Sequence, residues 1–126
     1  MRDARRDPYL VEGDGMLEFP ITVADFMGRP VCFFGGGYLR LFPYWLIRTE
    51  ARKVLAEGRP VIFYIHPREI DPAHPRLPMS HSRKFKSYVN LESTEAKLTR
   101  LLQEFPVTTF RQAISNYPQL VDSHVA

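Results

Sequence analysis

The sequence predicts an α/β fold with a few short strands and two main helices. Three observations carry that expectation. The run Val61-Ile62-Phe63-Tyr64-Ile65 is short, unbroken and rich in β-branched and aromatic side chains. That pattern suits a strand buried on both faces, as in a parallel sheet covered by helices. Immediately before it, Pro43 to Gly58 carries apolar residues at helical spacing. Further on, Leu98, Leu101, Leu102 and Phe105 follow i, i+3, i+4, i+7, the stripe of a second helix.

A chain of 126 residues with 44% hydrophobic and 13% aromatic content suffices for one compact domain and excludes a disordered chain. The expected organisation is a lead-in over residues 1–14, one α/β domain over 15–117 and a loose tail over 118–126. A net charge of +3, with cations scattered along the chain, is not a nucleic-acid footprint. Solvated helix faces explain those cations better than a binding patch, with an anionic polymer as the other reading. The single cysteine, Cys32, excludes an internal disulfide and a Cys-rich zinc site. No apolar run approaches the roughly 18 residues that span a bilayer. Met1 to Pro8 is charged and has no apolar core, so it does not read as a signal peptide. The compartment stays open.

Met16 to Val23 is the first strand candidate. Glu18 is the odd carboxylate within it. It reads either as a wet-face residue near a sheet edge, or as a pocket carboxylate that orients an arginine or a catalytic group. A turn follows at Met27-Gly28-Arg29-Pro30. Val31 to Phe34 is a short apolar run ending in Gly35-Gly36-Gly37, which reads as a tight turn or as an anion-binding nest of amides. The three glycines match neither the G-x-G-x-x-G nor the G-x-x-x-x-G-K-[ST] pattern.

Pro43 opens the first main helix, where its missing N–H costs nothing. Tyr44, Ile47, Ala51, Val54 and Leu55 form its inner face, and Gly58 closes it. The central strand then stops at His66-Pro67, because proline cannot donate to a ladder. His66 is expected at the carboxyl end of that strand, where α/β active sites collect. The plain alternative is a strand-end histidine bonded to a loop carbonyl.

The following loop carries Glu69, Asp71, His74 and His81, at spacings that fit no zinc template. His81 to Val89 reads as a short helix with Phe85, Tyr88 and Val89 inward. Ser93 to Phe105 is the second main helix, capped by Ser93 or Asn90. Val107 to Phe110 reads as a last short strand, and Arg111 to Tyr117 as a terminal helical turn.

Several of these segments together are familiar in this order: Leu17-Glu18-Phe19-Pro20, then Phe34-Gly35-Gly36-Gly37-Tyr38-Leu39-Arg40-Leu41 with Pro43-Tyr44, then Phe63 to Pro72 around His66-Pro67-Arg68-Glu69-Ile70-Asp71, then Thr94 to Leu98. From about Gly15 to Phe110 the chain resembles the carboxyl-terminal part of polysaccharide deacetylases of the NodB-homology group. More narrowly, it is similar to the DUF3473-type extension of deacetylases from exopolysaccharide systems associated with PEP-CTERM and exosortase loci.

The resemblance implies a partial (β/α)-barrel-like segment. It also implies hydrolysis of N- or O-acetyl groups on a polysaccharide substrate, with one divalent metal, usually zinc. By resemblance His66 is the general acid at the end of a late strand. Glu18, Glu69 and Asp71 are possible supporting or substrate-binding residues.

The chain departs from the family where the metal is concerned. No aspartate pair follows an early strand, and none of the four histidines, at 66, 74, 81 and 124, stands four residues from another. Arg68 occupies a position where tryptophan is common. The expectation is therefore a carboxyl-terminal portion that holds no metal or other cofactor and is inactive alone. Its expected partner is the missing amino-terminal half, or a second copy of itself. A stand-alone glycan-binding or protein-interaction module derived from the same fold is the alternative.

Overall fold

The computed structural model describes residues 5–13 and 15–118. The expected tail over 118–126 therefore falls outside the described residues from 119 onward, as do residues 1–4 of the expected lead-in.

Two antiparallel hairpins come first. Strand β1 (Tyr9–Leu10) pairs with β2 (Leu17–Glu18), setting Tyr9 opposite Glu18 and Leu10 opposite Leu17. The first strand candidate thus shrinks to Leu17–Glu18. Pro20, which has no N–H, follows closely and suits the early end of the ladder. Its partner β1 comes from the expected lead-in. Strands β3 (Ala24–Phe26) and β4 (Arg29–Val31) form the second hairpin, with Ala24 opposite Val31. Met27 and Gly28 connect them with φ of +51° and +75°. Two positive-φ residues make the turn whose twist matches the flanking strands.

Among the described residues five α-helices follow: α1 (Gly36–Leu41), α2 (Tyr44–Ala56), α3 (His81–Tyr88), α4 (Thr94–Glu104) and α5 (Phe110–Ile114). The two expected main helices are α2 and α4, with 13 and 11 residues. Pro43 caps α2 and Gly58, at φ +78°, lies just beyond it. The glycine run is a helix start and not a plain turn: Gly35 is the cap and Gly36 the first residue of α1. The strand expected at Val107–Phe110 is absent. Thr109 and Gln112 bond reciprocally as a capping box, and this draws Phe110 into α5.

Phe33, Phe34, Leu39, Ile47 and Val54 are fully buried, with Ala24, Leu46, Ala51 and Leu101 around them. The rings of Phe33 and Phe34 meet Phe26, Phe42 and Phe63 at centroid distances of 5.5, 4.9 and 5.3 Å. Lys97 of α4 reaches across to α1. Its ammonium donates to the carbonyls of Leu39, Arg40 and Phe42 at 3.0, 3.0 and 2.8 Å. These are the carbonyls that the end of a helix leaves without intrahelical partners, and a cation is favoured there. Burial holds the Lys97 ammonium below its ordinary pKa.

The central run corrects one expectation. Val61 to Ile65 is extended but, among the described residues, joins no ladder and makes one parallel bridge, Gly35 to Tyr64. The Tyr64 N–H donates to the Phe34 carbonyl at 3.1 Å, and the Gly36 N–H donates to the Tyr64 carbonyl at 2.9 Å. On the same edge the Thr22 hydroxyl donates to the Pro60 carbonyl at 3.2 Å and accepts from the Ile62 N–H at 2.8 Å. Residues 60, 62 and 64 therefore spend their backbone groups along one side. Among the described residues, nothing bonds the backbone groups of Val61, Phe63 or Ile65. Their side chains pack against the core, whereas Tyr64 is exposed. The run is thus covered on one face only, with alternation inward and outward.

A groove of about 370 Å³ runs beside it, lined by Val61, Ile62, Phe63, Leu55, Leu102 and Phe110 among others. Leu55 and Leu102, expected in the core, are exposed in this groove. Phe85, also expected inward, is 60% exposed, and α3 buries none of its residues. Arg40 and Tyr88 tether α3 and its flank through hydrogen bonds instead. The described strands close no barrel. No helix among the described residues is long and apolar enough to cross a membrane.

Candidate functional site

The extended run delivers His66 to the surface. His66 keeps an extended backbone, and Pro67 then opens a 3-10 turn over Pro67–Glu69. A proline at the start of such a turn loses nothing by lacking an N–H. The turn folds Glu69 back beneath His66. Its Oε2 accepts the His66 backbone N–H at 3.0 Å and lies 3.6 Å from His66 Nδ1. The imidazole is half-exposed, with its side chain 49% accessible, whereas that of Glu69 is 5% accessible. The exposed Tyr64 ring stands edge-on to the imidazole at 4.8 Å.

A buried carboxylate needs partners. Arg40 Nη2 lies 3.6 Å from Glu69 Oε1, and both side chains are buried. The guanidinium spends its remaining donors on backbone. Nε donates to the Gly36 carbonyl at 3.3 Å, Nη2 to the Lys86 carbonyl at 3.0 Å, and Nη1 to the Ser87 carbonyl. Burial lowers the Arg40 pKa, and the Glu69 charge opposes that shift. Arginine nonetheless stays protonated in proteins. Space for the carboxylate comes from Gly36, whose added Cβ would lie 1.5 Å from Glu69 Oε2.

His66 and Glu69 are thus brought together, and the other two candidates are not. Glu18 sits on its hairpin edge, exposed, accepting the Tyr9 hydroxyl at 2.6 Å. That bond raises the Tyr9 pKa. No arginine side chain bonds Glu18 among the described residues, and Glu18 lines a shallow pocket with Val11, Leu17, Phe19 and Phe110. Asp71 is exposed and turns its own loop, with Oδ1 accepting the Ala73 N–H at 3.1 Å. Its carbonyl meets His74 Nδ1 at 2.5 Å. Among the described residues, no three His, Cys, Asp or Glu side chains gather into a metal-sized group.

Arg40 and Gly36 were not among the candidates that the sequence offered. Their spacing was a usable signal: on a helix, residues four apart share a face. A glycine followed at i+4 by arginine clears room for a charged partner and supplies its counter-ion.

The family model described as "Domain of unknown function (DUF3473)" matches residues 1–115. No curated protein matches the chain. No solved structure matches it either. With nearly the whole chain matched, the protein belongs to the DUF3473 family of domains.

Proposed function

We propose that this chain is the carboxyl-terminal portion of a polysaccharide deacetylase, and that it supplies the general acid His66 to an active site completed by a metal-bearing half. The observation that carries the proposal is the mounting of His66. An extended run presents a half-exposed imidazole whose Nδ1 face meets a buried carboxylate. Imidazole delivers a proton near neutral pH, and a rigid mount keeps it aimed.

In this reading the reaction removes acetyl groups from an exopolysaccharide. His66 protonates the departing amine or alkoxide, and the exposed Tyr64 beside it offers a face to the sugar. A divalent metal held by the other half would supply water activation and polarisation of the acetyl carbonyl. The ligands for it come from the other half. The partial barrel proposed for this chain is completed at the same place. The unbonded edge of Val61, Phe63 and Ile65 and the apolar groove beside it suit further strands.

The test is acetate release from an acetylated chitooligosaccharide. The purified chain is assayed alone and mixed with the polypeptide encoded immediately upstream, if that carries the aspartate and histidine-pair motifs. The proposal expects no release from the chain alone and release from the mixture. Release by the chain alone, or none from a mixture that forms a stable complex, would count against it.

A further inference from the structure

We infer that Glu69 is a positioning residue for His66: Arg40 and the bare face of Gly36 hold its carboxylate under the imidazole, which fixes the Nδ1–H tautomer and turns Nε2 outward. The inference rests on the general-acid reading of His66 and deepens it. Glu69 is too deeply buried to meet a polymer in solvent, with 4% of its surface exposed. A substrate-binding role for this carboxylate therefore gives way to an internal one.

Three contacts fix where the carboxylate sits. One oxygen faces Arg40 at 3.6 Å. The other accepts the His66 N–H at 3.0 Å, so the backbone that carries the imidazole is tied to the carboxylate beneath it. Gly36 closes the third side, since any Cβ there would overlap both carboxylate oxygens, at 1.5 and 2.4 Å. From that seat Oε2 faces His66 Nδ1 at 3.6 Å, a little beyond hydrogen-bond length. Contacts of this kind in a free protein commonly tighten once the site is assembled. The proton on one ring nitrogen is set by what the other meets. A carboxylate accepts and does not donate, so Nδ1 must carry the proton. Nε2 is then the ring nitrogen free to take a proton and pass it on.

Arg40 extends the arrangement. Its donors to Lys86 and Ser87 tie α3 to the same carboxylate. The seat of Glu69 is therefore shared by α1, the Pro67–Glu69 turn and the end of α3, and not by the loop alone.

The test reads the tautomer directly and needs no activity. The chain is labelled with 15N-histidine and long-range 1H–15N spectra are recorded near pH 8.5, well above the unperturbed histidine pKa of about 6.5. His66→Gln assigns the His66 signals. The expected result is an Nδ1–H imidazole at His66 in the native chain. Glu69→Gln should move it toward Nε2–H, with the other histidine signals unmoved. Gly36→Ala should do the same with Glu69 still present, because the new methyl displaces the carboxylate. If Gly36→Ala fails to fold, Glu69→Gln decides alone. An Nε2–H imidazole in the native chain, or no change in a folded Glu69→Gln variant, overturns the inference. An Nδ1–H imidazole in a chain that never supports acetate release keeps the positioning role and removes the deacetylase reading, so the two failures are distinguishable.

Discussion

Gly36 and Glu69 share one space: a Cβ on Gly36 would lie 1.5 Å from Glu69 Oε2. Gly36 is the first residue of α1, where alanine would ordinarily favour the helix by up to about 1 kcal/mol. The carboxylate is the far end of a side chain and in principle free to swing. Here it is not, because Arg40 and the His66 N–H hold it in a buried seat. Overpacking of such a site costs about 1–3 kcal/mol. Gly36→Ala is therefore expected to be destabilising despite the better helix former, measured as a lower urea midpoint at unchanged slope. A neutral or stabilising result would show that the carboxylate moves freely.

Arg40 and Glu69 form a buried pair whose members fail differently alone and together. Removing one charge leaves the other buried and uncompensated, at a cost of about 3–5 kcal/mol. Arg40→Met should fall in that range, with α3 loosened as well, since it loses the bonds to Lys86 and Ser87. The double variant Arg40→Met, Glu69→Gln should be less damaged than the sum of the two single variants. Simple additivity in a double-mutant cycle would mean that the two groups do not interact.

Thr22 stands in for a missing strand. Its hydroxyl bonds both Pro60 and Ile62, so Thr22→Val leaves a half-buried carbonyl and N–H without partners. Unsatisfied groups of this kind cost about 1–3 kcal/mol each. The same geometry predicts an alternation in amide exchange. The Ile62 and Tyr64 N–H groups, which are bonded, should exchange more slowly than those of Val61, Phe63 and Ile65. Equal rates along the run in the isolated chain would show that the outer edge is covered after all.

Glu104 gathers α2 onto the end of α4. It accepts the Tyr44 hydroxyl at 2.6 Å and bonds Arg48 and, at 2.8 Å, Arg52. The Tyr44 bond first, and the arginines after it, hold the Glu104 pKa below its ordinary value of 4.5. Because the folded pKa is the lower one, the stabilisation is present above the unfolded value and is lost as pH falls through the folded one. The native chain should therefore lose stability in acid relative to Glu104→Gln, whose stability has no such dependence at this site. Parallel pH profiles for the two, from urea unfolding between pH 7 and pH 3, would contradict this.

Much of the helical part was legible in the sequence, and the reasons are local. Pro43, the apolar spacing to Val54 and Gly58 specify α2 by themselves, and the Leu98–Leu101 repeat specifies α4. The hairpin turn at Met27-Gly28 was readable from its glycine. What the sequence pattern misjudged depends on partners distant in the chain. Val61 to Ile65 has the composition of a strand covered on both faces, but its outer edge meets no strand among the described residues. Leu55 and Leu102 have the spacing of core residues and face a groove for the same reason.

The strand expectation at Val107–Phe110 left out the Thr109–Gln112 spacing, which closes as a capping box. For the site, His66 and Glu69 stood out as a strand-end histidine and a carboxylate one short turn later. Arg40 stood within the segment Phe34 to Leu41 that carries the resemblance, with no role of its own assigned. Its burial depends on Glu69, Gly36 and the end of α3 converging, and spacing along the chain carries no trace of α3.

The measurement that tests the central claim most directly compares two histidines in the complemented enzyme. His66 meets a buried carboxylate, whereas His74 bonds its own loop at Asp71 and lies tilted beside the Tyr88 ring at 5.5 Å. Loss of a general acid typically costs about 100- to 10,000-fold. On the proposed deacetylase reading, acetate release by the chain joined to an upstream polypeptide carrying the metal motifs should fall by that order in His66→Ala and stay near the native rate in His74→Ala. Equal effects of the two substitutions, or an undiminished rate in His66→Ala, would contradict the acid role of His66.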